Sequence, residues 1–149
     1  GARIPAAVSI PGVFSLLAVL PLVEARFHPP GKWFEALWLF FGAGFGEEIF
    51  FRGYIQSRID CAFRCVGSVG KFKVGPGLSV SALFFGLIHA LNTVDYFHGR
   101  FDFGWSFGLQ SIAVGLFYGL IRSRTESVFP GAIIHGLQDA FVKIPQLLP

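Results

Sequence analysis

Apolar residues occur in five long stretches that are separated by short polar connections. The stretches cover residues 4–23, 33–56, 78–94, 104–121 and 128–148. Several of them approach the roughly 20 residues that an α-helix needs to cross a bilayer. No segment shows the sustained alternation of apolar and polar residues that is typical of membrane strands. The pattern therefore predicts an all-α protein, a polytopic transmembrane helical bundle of about five main membrane segments with no β-sheet.

The composition agrees with a membrane protein and excludes two other classes. Hydrophobic residues make up 53% and charged residues 14% of the 149 residues, and the mean hydropathy is +0.61; soluble domains carry about 25% charged residues. Disordered chains combine low hydrophobicity with high charge, and disulfide-stapled secreted modules need more than two cysteines. We expect one membrane-embedded domain over residues 1–149. The absence of methionine, even at position 1, indicates a processed or excised piece of a longer chain.

Basic residues in the connections predict an orientation. If all five stretches cross the membrane, seven basic residues lie on one face and four on the other. The first set comprises Arg3, Arg58, Arg64, Lys71, Lys73, Arg122 and Arg124, and the second comprises Arg26, Lys32, Arg100 and Lys143. An excess of Lys and Arg marks the cytoplasmic side, so the long connection at 57–77 is predicted to be cytoplasmic. The net charge of +3 is interpreted as topology and not as nucleic-acid affinity.

Small residues recur at helical spacing inside the apolar stretches. Three pairs of glycines are spaced four residues apart: Gly42/Gly46, Gly104/Gly108 and Gly115/Gly119. This spacing lets helix backbones approach closely. We expect it to serve packing within one bundle, with a dimer through these helix faces as the lesser alternative.

Ionisable residues inside three of the apolar stretches indicate a buried polar site. Such a side chain costs at least about 2.5–3.5 kcal/mol at bilayer depth, so its presence needs a reason. With a rise of about 1.5 Å per residue from the cytoplasmic ends of the stretches, four of these residues fall about 10–16 Å deep. They are Glu47, His89, His135 and Asp139. Because separate helices need not carry their ionisable residues at the same depth, the similar depth of these four residues predicts one shared site.

Spacing within the stretches separates the roles of the charged residues. Glu48 and Arg52 stand at i and i+4 with the acid first, the favourable order for an ion pair. Glu47 lies about 100° around the helix from Glu48, so it is free for chemistry. Two adjacent acids also raise each other's proton affinity, which suits one of them to act as a general base. His135 and Asp139 share one helix face by the same i, i+4 spacing.

Four further residues with reactive side chains are expected to play no part in this site. His28 and His98 lie in connections and are expected at the surface. Cys61 and Cys65 adjoin the basic connection and are expected to be reduced thiols, since a zinc site there would need two more ligands.

Three motifs in this order resemble the CPBP family, which comprises CAAX prenyl endopeptidases and bacteriocin-processing enzymes and is also called the Abi family. The motifs are Glu47-Glu48-x-x-x-Arg52, Phe85-x-x-x-His89 and His135-x-x-x-Asp139. The resemblance covers residues 33–142 as a protease-like core. It implies an intramembrane endopeptidase with an all-helical core, in a multi-pass protein of a prokaryotic cell membrane.

The resemblance also implies roles for the motif residues. Glu47 and His89 activate a water, His135 and Asp139 stabilise the oxyanion, and Arg52 holds Glu48. Asparagine is more common in the family at the position of Asp139. An ionised Asp only accepts hydrogen bonds, so Asp139 would have to be protonated or act by orienting His135.

The motifs leave the metal requirement and two other classes of protein open. Glu47, His89, His135 and Asp139 are suitable ligands for zinc, but the chain lacks His-Glu-x-x-His, and we favour a glutamic-type mechanism without cofactor over a metallo-type one. Buried Glu and His are also typical of proton or metal transporters. A catalytically silent scaffold or immunity protein of the same fold is the other alternative.

The expected partners follow from the depth of the site. They are membrane lipid and a membrane-associated peptide or protein substrate that enters near the cytoplasmic surface. A chain that partitions into the membrane can reach such a depth.

Overall fold

The computed structural model describes residues 32–63 and 66–143. The first part is one continuous helical segment of five elements: α1 (Lys32–Trp38), π1 (Leu39–Phe45), α2 (Gly46–Glu48), π2 (Ile49–Gln56) and α3 (Ser57–Phe63). The second part comprises β1 (Gly67–Val69), β2 (Phe72–Val74), α4 (Pro76–Leu91), α5 (Trp105–Thr125) and α6 (Phe129–Lys143). The described chain is therefore mostly helical, as the apolar pattern predicts.

Local sequence signals explain where α4 and α5 begin and end. Pro76 occupies the first turn of α4, where its missing N–H costs nothing. The Asp60 carboxylate accepts a hydrogen bond of 2.8 Å from the backbone N–H of Gly77, which satisfies one free donor of that helix end. α5 ends at Thr125 and is followed by Glu126, whose left-handed φ of 56° caps the C-terminus of the helix.

The prediction of no β-sheet is wrong for the connection at 57–77. β1 and β2 form a two-stranded antiparallel hairpin in which Gly67 pairs with Val74 and Val69 with Phe72. Gly70 supplies the positive φ of 60° that a two-residue hairpin turn needs. Strands of three residues are too short to show an alternating pattern, so the sequence carries little signal for them.

The hairpin and the end of α5 lie at the same end of the bundle, as the predicted topology requires of the connections at 57–77 and 122–127. Lys73 forms an exposed ion pair with Glu126, and the hydrogen bond from Lys73 lowers the pKa of that carboxyl. Arg122 donates a hydrogen bond of 3.2 Å to the Ser57 hydroxyl. The buried Gln56 amide donates to the Ser123 hydroxyl over 3.0 Å.

Glycines of α5 allow close packing against α4 and π2. A Cβ at Gly108 would lie 2.8 Å from the Gly86 carbonyl oxygen, and one at Gly119 would lie 2.4 Å from a Leu78 methyl carbon. A Cβ at Gly115 would lie 3.1 Å from the Arg52 guanidinium. The prediction that Gly104/Gly108 and Gly115/Gly119 pack within one bundle is confirmed; a dimer stays a prediction.

The close packing predicted for Gly42/Gly46 is not seen among the described residues, where another glycine makes the close contact. A Cβ at Gly42 would meet its own neighbour Trp38, and one at Gly46 would meet no described atom within 4 Å. Gly44 instead crosses Gly136 so closely that a Cβ on it would lie 2.3 Å from the Gly136 Cα. This crossing brings the first helical segment against α6.

Hydropathy alone does not identify spans in the described chain. Over residues 32–63 and 66–143, none of the helices combines the length and the apolar character of a membrane crossing. The predicted segment at 4–23 lies outside the described residues.

The structure describes two of the four residues that were expected to play no part in the site, His98 and Cys61. His98 is exposed and pairs with Asp95, its Nδ1 lying 2.7 Å from a carboxylate oxygen, which confirms its surface position. Cys61 is an exposed free cysteine. His28 and Cys65 lie outside the described residues.

Candidate active site

Three helical elements bring the predicted acid and bases together. Glu47 lies in α2, His89 in the last turn of α4, and His135 in the second turn of α6. The Glu47 Oε2 atom is 3.9 Å from Nε2 of His89 and 3.9 Å from Nε2 of His135. Glu47 is 28% exposed while the two histidines are largely buried. One carboxylate therefore faces two imidazoles at the edge of the interior.

Two π-helical elements flank the glutamates. π1 ends at Phe45 and π2 begins at Ile49, so Gly46–Glu48 is a short α-helical element between two wider turns. Such π-helical turns are rare in proteins, and those that occur are often found at functional sites. Glu48 faces the interior and Glu47 the histidines. The apolar spacing does not distinguish these π-helices from an α-helix and so did not predict them.

Glu48 and Arg52 form a fully buried ion pair, as their spacing predicts. Arg52 Nη1 lies 2.9 Å from Glu48 Oε1, and the side chains are 0% and 1% exposed. The guanidinium makes no hydrogen bond of normal geometry to the described residues. Its Cζ lies 4.3 Å from the Phe85 ring centroid and 5.7 Å from that of Tyr118, so an acid and aromatic faces surround the cation.

A backbone carbonyl determines which nitrogen of His89 faces Glu47. His89 Nδ1 lies 2.8 Å from the Phe85 carbonyl oxygen. Because a carbonyl only accepts hydrogen bonds, Nδ1 donates, and in the neutral ring Nε2 carries the lone pair. The ring packs 4.2 Å from the Phe85 ring and 5.2 Å from that of Phe107, between centroids. The acceptor nitrogen of His89 is thus held toward Glu47.

His135 is held by Glu48 on one side and approached by Asp139 on the other. Its Nδ1 lies 3.2 Å from Glu48 Oε1, and its Nε2 lies 3.5 Å from Asp139 Oδ2. Since Glu48 is paired with Arg52, its carboxylate accepts a hydrogen bond from the Nδ1–H of His135. The Nε2 of His135 faces Glu47 and Asp139, at 3.9 and 3.5 Å, and donates a hydrogen bond only in the cationic ring, in which both nitrogens carry protons.

Tyr118 also lies beside these residues, although no sequence motif predicts it. It is 1% exposed, and its ring stacks on the His135 imidazole with centroids 4.9 Å apart and 22° between the planes. A polar side chain inside an apolar stretch is what indicated His89, and the phenol of Tyr118 is a weaker example of the same pattern. Tyrosine is common in such stretches, so its presence there did not indicate a site.

The described residues do not form a set of metal ligands. Within the two described parts of the chain, no group of three or more His, Cys, Asp or Glu side chains is arranged to hold a metal ion. The Nδ1 atoms of both histidines are already occupied, His89 by a carbonyl and His135 by Glu48.

An acid, two histidines and a buried acid–arginine pair thus meet in a helical protein, on the four elements α2, π2, α4 and α6. Residues 29–141 match the family model described as type II CAAX prenyl endopeptidase Rce1-like. The chain belongs to this family, which confirms the resemblance to the CPBP and CAAX proteases. It is accordingly a peptidase and an integral membrane protein. No curated protein and no solved structure matches the chain significantly.

Proposed function

We propose that the chain is a multi-pass intramembrane endopeptidase that hydrolyses a peptide bond of a membrane-associated peptide, with Glu47 as general base. The observation that supports this most is the position of the Glu47 carboxylate, 3.9 Å from both His89 and His135. That separation is too long for a direct hydrogen bond and suits a bridging water. Glu47 and Asp139 are each 28% exposed, so the site is open on one side.

Two hydrogen-bond acceptors, the Glu47 carboxylate and Nε2 of His89, activate the attacking water. A water between Glu47 and His89 donates one proton to the carboxylate and one to Nε2, which leaves an oxygen lone pair free for the substrate carbonyl. As the water oxygen bonds to the carbonyl carbon, Glu47 takes the proton and the carbonyl oxygen becomes an oxyanion. When the intermediate collapses, the C–N bond breaks and Glu47 returns the proton to the leaving amine.

The oxyanion needs a donor, and His135 fits this role in its cationic form. Its Nε2 lies 3.9 Å from the Glu47 carboxylate and 3.5 Å from that of Asp139. In a water-excluded site one aimed donor is worth about 2.7–4 kcal/mol of transition-state stabilisation. Asp139 acts by orienting His135 and stabilising its charge, since an ionised carboxylate does not donate.

The family description points to a prenylated CAAX tail as substrate. A prenyl chain partitions into lipid and so keeps the peptide at the membrane surface. The direct test is cleavage of a farnesylated CAAX peptide by the purified protein in proteoliposomes, beside the same peptide without the lipid. Release of the C-terminal residues supports the proposal, and no release of either peptide opposes it.

Substitutions at His135 and Asp139 separate the role of the oxyanion donor from that of the residue that orients it. His135→Ala is expected to lower the cleavage rate about 100- to 1000-fold, because the donor is lost. Asp139→Asn is expected to stay within about threefold of wild type, since an amide oxygen still accepts from His135, whereas Asp139→Leu removes the acceptor and is expected to lower the rate about tenfold. Rates per folded molecule in the peptide assay measure this. Equal rates for His135→Ala and wild type would contradict the assignment.

Water activation in this mechanism relies on protein groups, so no metal is required. Treatment with a zinc chelator, followed by its removal, is expected to leave the cleavage rate unchanged. The metal content of the purified protein, measured by plasma mass spectrometry, is expected to be well below one zinc per chain. Activity that is lost on chelation and restored by zinc would instead support a metal-dependent mechanism, for which Glu47, His89, His135 and Asp139 are the candidate ligands.

A further inference from the structure

Tyr118 contacts His135 from a helix that carries none of the three motifs. It lies in α5 and is 1% exposed. Its ring is nearly parallel to the imidazole, at 22° and with centroids 4.9 Å apart. Phe85 meets the same imidazole edge-on, with centroids 5.8 Å apart and 71° between the planes. The His135 ring is therefore bounded by one aromatic face and one aromatic edge.

The hydroxyl of Tyr118 is itself held. It donates a hydrogen bond of 2.9 Å to Gln138 Oε1. Gln138 follows His135 by three residues on α6 and directly precedes Asp139, so the bond joins α5 to α6 at the level of the site. Because both its ring and its hydroxyl have partners, Tyr118 has little freedom to tilt.

The remaining contacts of His135 leave its orientation dependent on this stack. Glu48 holds Nδ1 at 3.2 Å, a single hydrogen bond about which the ring can still twist. A twist would turn Nε2 away from Glu47 and Asp139, which lie at 3.9 and 3.5 Å. The flat face of Tyr118 opposes this twist, because a rotated imidazole would lose the stacked contact or collide with the phenol ring.

We infer that Tyr118 is a positioning residue for the reaction, which sets the plane of the His135 imidazole and is itself aligned by its hydroxyl bond to Gln138. The inference rests on the proposed function, since it concerns the donor to the oxyanion. Tyr118 acts on the reaction through the His135 ring on which it stacks.

Two substitutions separate the ring of Tyr118 from its hydroxyl. Tyr118→Phe keeps the stack and loses the bond to Gln138, and we expect kcat to fall about fivefold. Tyr118→Leu loses the stack, and we expect kcat to fall about 100-fold. KM is expected to stay within about twofold in both, because Tyr118 acts through a residue that serves the transition state. Tyr96→Phe, which removes a hydroxyl from an exposed tyrosine, is the matched control and should match wild type.

A double-substitution cycle tests the hydroxyl bond. Gln138→Leu alone is expected to match Tyr118→Phe, and the combined variant should be no slower than either one, because both remove the same bond. Wild-type kcat per folded molecule in Tyr118→Phe and Gln138→Leu would overturn the inference, as would losses that multiply. If Tyr118→Leu does not fold, these variants decide alone. A failure of the proposed function looks different, since Glu47→Gln would then cleave as fast as wild type.

Discussion

Replacing Glu47 by glutamine is expected to abolish peptide cleavage while the protein still folds. The amide has nearly the same shape as the carboxylate, but it cannot take the proton of the attacking water. Loss of a positioned general base typically costs about 100- to 10,000-fold in rate, and we expect a loss of at least about 1000-fold here. Initial rates on the farnesylated peptide in proteoliposomes measure the effect.

The structure offers a matched control for this substitution. Glu126→Gln makes the same chemical change at an exposed residue outside the three motifs, which pairs with Lys73, and it is expected to retain the wild-type rate. Thermal unfolding in detergent should show both variants folded. Cleavage by Glu47→Gln at the wild-type rate would disprove the role of Glu47 and, with it, the proposed chemistry.

Arg52→Ala is expected to destabilise the fold severely. The substitution leaves the Glu48 carboxylate, 1% exposed, as a buried charge without its partner. Breaking a buried ion pair by removing one member costs about 3–5 kcal/mol, a large part of the 5–15 kcal/mol that typically separates folded from unfolded states. The aromatic faces of Phe85 and Tyr118 also lose the cation between them. Unfolding curves and the yield of monodisperse protein measure the effect.

A second substitution tests whether the lost stability comes from the unpaired buried charge of Glu48 or from the loss of side-chain volume at position 52. Adding Glu48→Gln to Arg52→Ala removes the unpaired charge, so it is expected to recover much of the lost stability. It is not expected to recover activity, because His135 Nδ1 then faces a neutral amide. Arg122→Ala, which removes an arginine bonded to Ser57 at the bundle end, is the control. A double variant that is as unstable as Arg52→Ala alone would contradict this account.

Several parts of the fold could be predicted because they depend on near neighbours in the chain. The apolar stretches at 78–94 and 104–121 correspond to α4 and α5, with boundaries shifted by a few residues. The hairpin was missed because its strands are three residues long. Depth from helical rise was a coarser guide. It placed His89 about 16 Å from the start of its stretch, near the bilayer midplane, whereas α4 ends two residues after it.

The site was predictable to the extent that single-helix spacing determines it. Glu48 and Arg52 pair because they lie one turn apart on the same helical segment, and their order in the sequence is enough to expect this. The contact of Glu48 with His135 joins residues 87 positions apart. No local pattern indicates such a contact. A glycine crossing such as that of Gly44 and Gly136 likewise appears only when both helices are placed.

The sequence by itself determined the helical class, the membrane character and the residue types able to activate water. These depend on hydropathy, periodicity and side-chain chemistry, which belong to each segment separately. The tertiary structure alone decided that Glu47 faces two imidazoles, that Glu48 holds His135 as well as Arg52, and that Tyr118 stacks on the same ring. Those relations depend on how helices cross, and crossing is decided by close packing between distant segments, where a single Cβ at a glycine would prevent contact.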